Sequence, residues 1–370
     1  MKTAMNVIEE DLAIILESLA EELQTMAGKR LLITGGAGFL GYYLVQTITA
    51  FNRKSEPCDQ IELEVWDNYQ RGLPDWLKAA EEKDSVILRK HDISQPLPQD
   101  IGLFSHIIHA ASIASPIYYR KYPIETMDAN VQGLRYLLEY AREKKLQGNP
   151  IEGFLFFSTS EIYGDPHPDY IPTEETYRGN VSCTGPRACY DESKRYGETL
   201  CVNFAQQHGL PIKIARPFNN YGPGLKITDG RVLPDFCRNV LHSEDIVMLS
   251  DGAPTRTFCY ITDAIAGYYK ILVRGRAGEP YNIGVETPEI SIAQLSDLVV
   301  SCAHELFGYQ GQVIRQSSRD QHYLTDNPNR RCPNIQKARS ELGYDPKISL
   351  EEGLRKTLLW YKDNLEAEES

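Results

Sequence analysis

Tyr190 and Lys194 stand four residues apart in the run Gly185-Pro186-Arg187-Ala188-Cys189-Tyr190-Asp191-Glu192-Ser193-Lys194. On a helix that spacing puts a phenol and an ammonium on one face. A free phenol, with a pKa of about 10, is a poor base at neutral pH. A neighbouring ammonium favours the phenolate and lowers that value. The pair is therefore equipped to take a proton from an alcohol while a hydride leaves the same carbon. Upstream, the apolar run Phe154-Leu155-Phe156-Phe157 ends in Ser158-Thr159-Ser160-Glu161. Thr159 and Ser160 carry hydroxyls that fix or pass the substrate proton, or cap a helix. Glu161 is a carboxylate able to move a proton at an adjoining carbon, or a plain surface residue.

A departing hydride needs an acceptor, and the N-terminal part of the chain supplies a site for one. Lys29-Arg30-Leu31-Leu32-Ile33-Thr34 reads as a buried strand, Gly35-Gly36-Ala37-Gly38-Phe39-Leu40-Gly41 as a turn, and Tyr42 to Ile48 as a helix. Strand, glycine turn and helix are the context of a dinucleotide phosphate loop. Gly35 permits the turn, Gly38 lets the backbone approach a pyrophosphate, and Gly41 lets helix and strand pack. Phe39 and Leu40 complete the loop at the helix N-terminus, where free N–H groups favour an anion. A second strand, Ile61 to Trp66, ends at Asp67-Asn68. A carboxylate there accepts from the adenosine ribose and repels a 2′-phosphate, which favours NAD over NADP; it also serves as an ordinary strand-end cap. Arg71 lies close enough to blur that preference. Asp92-Ile93, past a third strand, is placed to meet the adenine. His106 to Ser112 reads as a fourth strand whose small Ala110 and Ala111 leave room for the cofactor.

The elements that must position these groups alternate strand and helix to about residue 220, as in a doubly wound parallel sheet. Beyond it, Val232–Val240, Asp263–Val273, Ala293–Phe307 and Leu350–Tyr361 read as helices, and Tyr281–Gly284 and Gln312–Ile314 as short strands. The chain has 370 residues, 42% of them hydrophobic, enough for one large α/β domain with a smaller lobe. A net charge of −12 without a basic cluster argues against nucleic acid and anionic membranes as partners. Eight scattered cysteines, without C-x-x-C or metal spacing, point to free thiols in a reducing cytoplasm. No apolar run reaches the ~20 residues of a membrane-spanning helix. The first 28 residues lack the basic start of a signal peptide. Leu12, Ile15, Leu16, Leu19 and Leu23 form one apolar helix face, to be covered by the chain's own body or by another subunit.

Further on, Asn219 follows a strand ending at Arg216-Pro217, and Arg231 and Arg256 are each able to grip a diphosphate or to sit in a surface pair. Taken together, the chain resembles an extended short-chain dehydrogenase/reductase acting on nucleotide sugars, over residues 29 to 362. Within that group it is most similar to the UDP-glucuronate decarboxylase (UDP-xylose synthase) family. The matching segments are Ser158 to Pro166, Gly185 to Glu192, Asp229-Gly230-Arg231-Val232 and Thr255 to Tyr260. The resemblance implies Tyr190 as base with Lys194 beside it, and Thr159, Glu161 and Tyr119 in the active site. It implies Asn219 and Arg331 on the substrate. The sequence departs from the family at Ser193, which replaces a glycine, at Gly224, which replaces an arginine, and in its N-terminal extension.

The implied fold is α/β, a doubly wound parallel Rossmann sheet with a smaller α/β substrate-binding lobe. Residues 1–28 are then a helical extension, and 29–217 the NAD-binding domain with a segment near 257–284 returning to it. Residues 218–362 are the lobe and 363–370 a tail. The implied chemistry oxidises C4 of the sugar with bound NAD and decarboxylates a UDP-glucuronate-like substrate to a pentose, with a cytoplasmic homodimer as the working form. The same first step serves a 4,6-dehydratase, a 4-epimerase or a 4-dehydrogenase. A non-catalytic NAD-binding sensor on this fold usually loses the tyrosine or lysine that this chain keeps.

Overall fold

The computed structural model describes residues 3–318 and 325–369. Its frame is seven strands: β1 (Arg30–Thr34), β2 (Glu62–Asp67), β3 (Ile87–Lys90), β4 (His106–His109), β5 (Gly153–Phe157), β6 (Ile212–Pro217) and β7 (Pro280–Ile283). They lie in the order β7-β6-β5-β4-β1-β2-β3, and every pairing is parallel. The chain winds outward from β1 to β3 and then returns to place β4 on the other side of β1. That reversal opens a crevice at the carboxyl ends of β1 and β4, where such sheets bind ligands.

Both faces of the sheet are covered, as parallel strands require. Leu31 and Ile33 face one apolar cluster and Leu32 the other, by the two-residue period of a strand. The larger cluster runs without a break from the N-terminal helices through the sheet to Phe236, Leu295 and Leu354 in the lobe. Sheet and lobe thus share one core. The helix Ile261–Arg274 is almost wholly buried against the sheet.

Some expected limits differ. The fourth strand stops at His109, and Ala110 to Ser112 already lie in the loop above it. The C-terminal helix runs Leu350–Glu369, so no boundary falls at residue 362; Leu365 continues its apolar side. Tyr281 and Ile283 belong to the central sheet, which the returning segment extends to its edge.

The N-terminal extension forms helices Ala4–Ser18 and Ala20–Met26, the first opened by a Thr3–Asn6 capping box. They pack on helices Phe39–Asn52, Ile261–Arg274 and Leu350–Glu369 of the same chain. Leu12, Ile15, Leu19 and Leu23 are buried there. So is Asp11, which accepts from the hydroxyls of Tyr43 and Tyr260, each at 2.6 Å, and from Lys356 Nζ at 2.8 Å.

The lobe is built from small pieces. Thr255–Arg256 pairs with Ile290–Ser291 on one side and Arg330–Arg331 on the other. The expected strand near residue 313 is Val313–Arg315, parallel to Ile246–Met248.

Candidate functional site

The crevice above β1 and β4 opens into a cleft of ≈ 1620 Å³ between sheet and lobe. That exceeds the ~300–1,000 Å³ of an ordinary small-molecule pocket and has room for two nucleotide-sized ligands. Among its walls are the glycine turn, Asp67, Asn68, Asp92, Ile93, Ala110, Ala111, Thr159, Ser160, Glu161, Tyr119, Tyr190, Lys194, Asn219, Arg231, Arg256 and Arg331. Every residue expected of the site thus faces one cavity.

The cofactor half is determined by close backbone approach. Gly35 has φ +74°, and a Cβ there would lie 2.5 Å from Ala111 Cα. A Cβ on Gly41 would lie 2.2 Å from Gly36 O. Gly38, by contrast, is the N-cap of helix Phe39–Asn52, takes no side-chain cap, and lines the cleft, where a Cβ would meet only Gly35 O at 3.4 Å. Free N–H groups facing a void are the cradle a pyrophosphate needs. Asp67 accepts from Ala37 N–H at 3.1 Å and Tyr69 N–H at 2.8 Å, so it caps its strand end and fixes the turn while still facing the cleft. Burial raises its pKa against those bonds. Asp92 is held by Ser94, and Ile93 rests against Gly133.

The catalytic half stands on helix Ala188–His208 and the end of β5. Tyr190 and Lys194 lie one turn apart, both buried. Lys194 Nζ donates to Phe157 O at 2.7 Å and lies 5.9 Å from the centre of the Tyr190 ring. Here the simple charge argument from sequence is corrected. Burial pushes Tyr190 up to about 12, against a hydrogen bond from Thr159. Burial also brings Lys194 down to about 7, so its ammonium is only partly charged at neutral pH. For both groups desolvation is the largest cause; the charges of Glu161, Arg231 and Asp191 act on Tyr190 only behind it.

Tyr119 stacks on Tyr190, ring centres 5.1 Å apart at 9°. Its hydroxyl is buried without a hydrogen-bond partner among the described residues. Thr159 caps the short helix Ser160–Tyr163 by accepting from Glu161 N–H at 3.2 Å, and Ser160 is buried behind it. The capping and site readings of Thr159 therefore hold together.

Glu161 is gripped on one oxygen, Oε2, by two arginines. Arg331 Nη2 lies at 2.5 Å, and Arg187 Nη2 forms an ion pair with the same atom. Burial pushes the Glu161 carboxyl up, but Arg187, Arg331 and Arg256 together bring it down to about 2. The two adjoining guanidiniums thus favour its carboxylate form. Arg187 is a site residue that the sequence reading passed over, although it sits inside the matching run. Its signal was position: three residues before Tyr190 and four before Asp191, at the N-cap of the helix. Asp191, 3.8 Å from Arg187 Nε, is buried beside Glu161, and that burial and like charge push its carboxyl up.

Arg256 is a second correction. Its guanidinium is spent on Thr255 O, Pro328 O, Asn329 O and Asn327 Oδ1. That fork holds the segment 327–329 while Arg256 stays in the cleft wall. Arg231 is half-exposed and forms an ion pair with Asp229, Nε to Oδ2 at 3.0 Å. Asn219, at φ +39°, donates to Thr257 O and accepts from Arg331. The two family departures have local reasons. Gly224 has φ +86°, and a Cβ there would lie 2.8 Å from Tyr42 Cβ, so no arginine fits. Ser193 Oγ accepts from Asn130 Nδ2 at 2.9 Å and donates to Tyr190 O at 3.0 Å, tying the catalytic helix to a π-turn at Ala129–Gly133. Among the described residues, no cluster able to hold a metal ion is present, and no helix is long and apolar enough to cross a membrane.

Known proteins resemble this chain over most of its length. Residues 31–284 match the NAD dependent epimerase/dehydratase family. UDP-glucuronic acid decarboxylase 6 of Arabidopsis thaliana is 37% identical over 325 residues, 88% of this chain and 86% of that one. UDP-glucuronic acid decarboxylase 1 of Xenopus tropicalis is 35% identical, over 91% of this chain and 73% of that one. A dTDP-glucose 4,6-dehydratase of Streptomyces venezuelae, solved with NAD bound, superposes with a TM-score of 0.76 at 25% identity, covering 91% of this chain and 98% of that one.

Proposed function

The chain belongs to the NAD dependent epimerase/dehydratase family and, within it, to the UDP-glucuronic acid decarboxylases, and from that premise we propose that it converts UDP-glucuronate to UDP-xylose. The observation that carries the substrate half is the charge balance beside Tyr190. Arg187 and Arg331 face one ionised Glu161, and Arg187 Nε, Arg331 Nε and the Tyr119 hydroxyl have no hydrogen-bond partner among the described residues. A buried excess of donors calls for an anion, and a sugar C6 carboxylate is one.

Gly35, Gly38 and Gly41, with Asp67, would hold NAD, whose nicotinamide would supply the hydride acceptor and a positive charge that favours a phenolate. Tyr190 takes the proton of the C4 hydroxyl, with Thr159 in hydrogen-bond contact with it. Lys194 keeps a partial positive charge beside the phenolate. The ketone at C4 makes the C6 carboxylate a β-keto acid. Its C5–C6 bond breaks to release carbon dioxide, and the electron pair is delocalised onto O4 as an enolate. A proton from solvent would then add at C5, and Tyr190 would return its proton to O4 as C4 is reduced again. Arg331, Arg187 and Tyr119 orient the leaving carboxylate in this reading, and Glu161 holds the two arginines in register. Arg231 takes the diphosphate.

Eight free cysteines support a reducing, cytoplasmic setting. A homodimer belongs to the same proposal: Ile124 and Tyr196, on helices that pack together, are 59% and 50% exposed. Light scattering of the purified chain tests it. The function is tested by incubating the protein with UDP-, dTDP-, GDP- and CDP-sugars and weighing the products. Loss of carbon dioxide from UDP-glucuronate is the expected result. Loss of water from a neutral hexose makes the chain a dehydratase instead.

A further inference from the structure

By sequence, Arg71 lies close enough to Asp67 to weaken the choice of NAD over NADP. Its actual direction gives it a different task. The turn after β2 is rigid: Asn68 Oδ1 accepts from Gln70 N–H at 3.0 Å, Tyr69 has φ +53°, and Gly72 N–H bonds Tyr69 O at 2.9 Å. The turn sends Arg71 over the cleft. Its guanidinium carbon lies 5.1 Å from the centre of the Tyr118 ring, and Nη1 lies 3.6 Å from Asp229 Oδ1. Tyr118 stands on the short helix Pro116–Lys121 past β4 and Asp229 in the lobe, so one side chain connects three segments that wall the same cleft.

Asp229 is a shared anchor. Its side chain is 5% exposed, its Oδ2 faces Arg231 Nε at 3.0 Å, and its backbone oxygen accepts from Ser115 Oγ at 2.9 Å. The carboxylate therefore divides its charge between Arg71 on the dinucleotide side and Arg231 on the substrate side. A diphosphate drawn to Arg231 competes for that guanidinium and leaves Asp229 to Arg71.

We propose that Arg71 is a cofactor-retaining strap, and that Asp229 links it to Arg231 so that a bound nucleoside diphosphate slows NAD release. Retention suits a reaction that uses the hydride twice in one turnover, because a reduced cofactor that escaped would strand a keto sugar. The coupling to the diphosphate rests on the nucleotide-sugar reading; the strap itself does not.

The test is the release rate of NADH from the full-length protein, followed by its fluorescence during a chase with excess NAD, with and without UDP. In the unaltered protein UDP is expected to slow release. Arg71→Ala, at a half-exposed position that a fold tolerates, is expected to speed release about three- to tenfold, the scale of one partly exposed ion pair plus one cation–π contact. It should also remove the effect of UDP, while the preference for NAD over NADP stays the same. Arg71→Lys should restore part of the retention, and Asp229→Asn should reproduce the loss. An unchanged release rate in Arg71→Ala, or a changed preference for NADP, overturns the strap. UDP that slows release equally in both proteins overturns the coupling through Asp229. UDP that does not bind the unaltered protein, measured by calorimetry, overturns the nucleotide-sugar reading and the coupling together, and the strap is then judged on the rate without UDP.

Discussion

Two buried carboxylates organise this molecule, and they are treated in opposite ways. Asp11, on the N-terminal helix, receives two tyrosine hydroxyls and one ammonium from three different elements. Its pKa is raised by burial, and those partners work against the rise. Glu161, in the cleft, has its charge overmatched by two arginines, and the surrounding cluster keeps unpaired atoms at Tyr119, Arg187, Arg331, Asp191 and Ser158 among the described residues. Native interiors rarely leave polar atoms unpaired, so a group of them at one cavity marks a place completed by a ligand. In the proposed reading the satisfied cluster is architecture and the unsatisfied one is function. That distinction needs neither a motif nor a relative.

Substitutions break the comparison in order of effect. Tyr190→Phe removes the base alone, and turnover should fall ~10²–10⁴-fold with an unchanged melting temperature. Near-normal turnover would move the base elsewhere. Asp11→Asn attacks the architectural cluster and leaves Lys356 short of its nearest counter-charge. Breaking a buried pair costs about 3–5 kcal/mol, and Glu352 at 3.7 Å and Glu10 at 4.0 Å from Lys356 place this one at the low end. Denaturant unfolding should show that loss, while turnover per folded molecule stays the same; a fall in turnover at unchanged stability would contradict the division.

Arg187→Gln probes the unsatisfied cluster through Glu161. The folded carboxyl lies below its ordinary value of 4.5, at about 2. Its contribution to stability is therefore complete above 4.5 and lost as pH falls toward 2. Removing one arginine should move the acid limb of turnover, and the acid unfolding midpoint, up by roughly 1–3 pH units. Unmoved limbs would mean that Arg331 suffices alone. Lys194→Met gives the smallest change in stability. The folded ammonium titrates near 7 against 10.5 unfolded, so its burial costs nothing at high pH and progressively more as pH falls from 10.5 to 7. The variant should gain about 1–2 kcal/mol of stability at neutral pH, after the lost hydrogen bond to Phe157 O, while losing turnover. Equal or lower stability at pH 7 in a ligand-free melt would contradict the burial argument.

The sheet was legible because its strands are apolar runs closed by punctuation: Gly35 after β1, Asp67 at the end of β2, Ser158 after β5. The pairing of Tyr190 with Lys194 was legible because helical spacing is local. Their pKa shifts were not, since burial is a property of the whole fold. Two-residue strands such as Thr255–Arg256 exist only through partners far along the chain, so spacing gives no sign of them. For the same reason Arg256 could be named as a forked donor but not assigned its acceptors. The end of the last helix was missed because Asp363 to Glu369 is polar; the signal was Leu365, one helical turn after Tyr361.

The most direct test of the central claim, that the unsatisfied cluster is completed by the substrate's carboxylate, is a single-turnover absorbance trace with UDP-glucuronate set against one with UDP-glucose. UDP-glucuronate should give a transient NADH signal that rises and decays as carbon dioxide is released, and UDP-glucose should give neither decay nor product. Completed turnover of the neutral sugar, with UDP-glucuronate inert, would contradict the account.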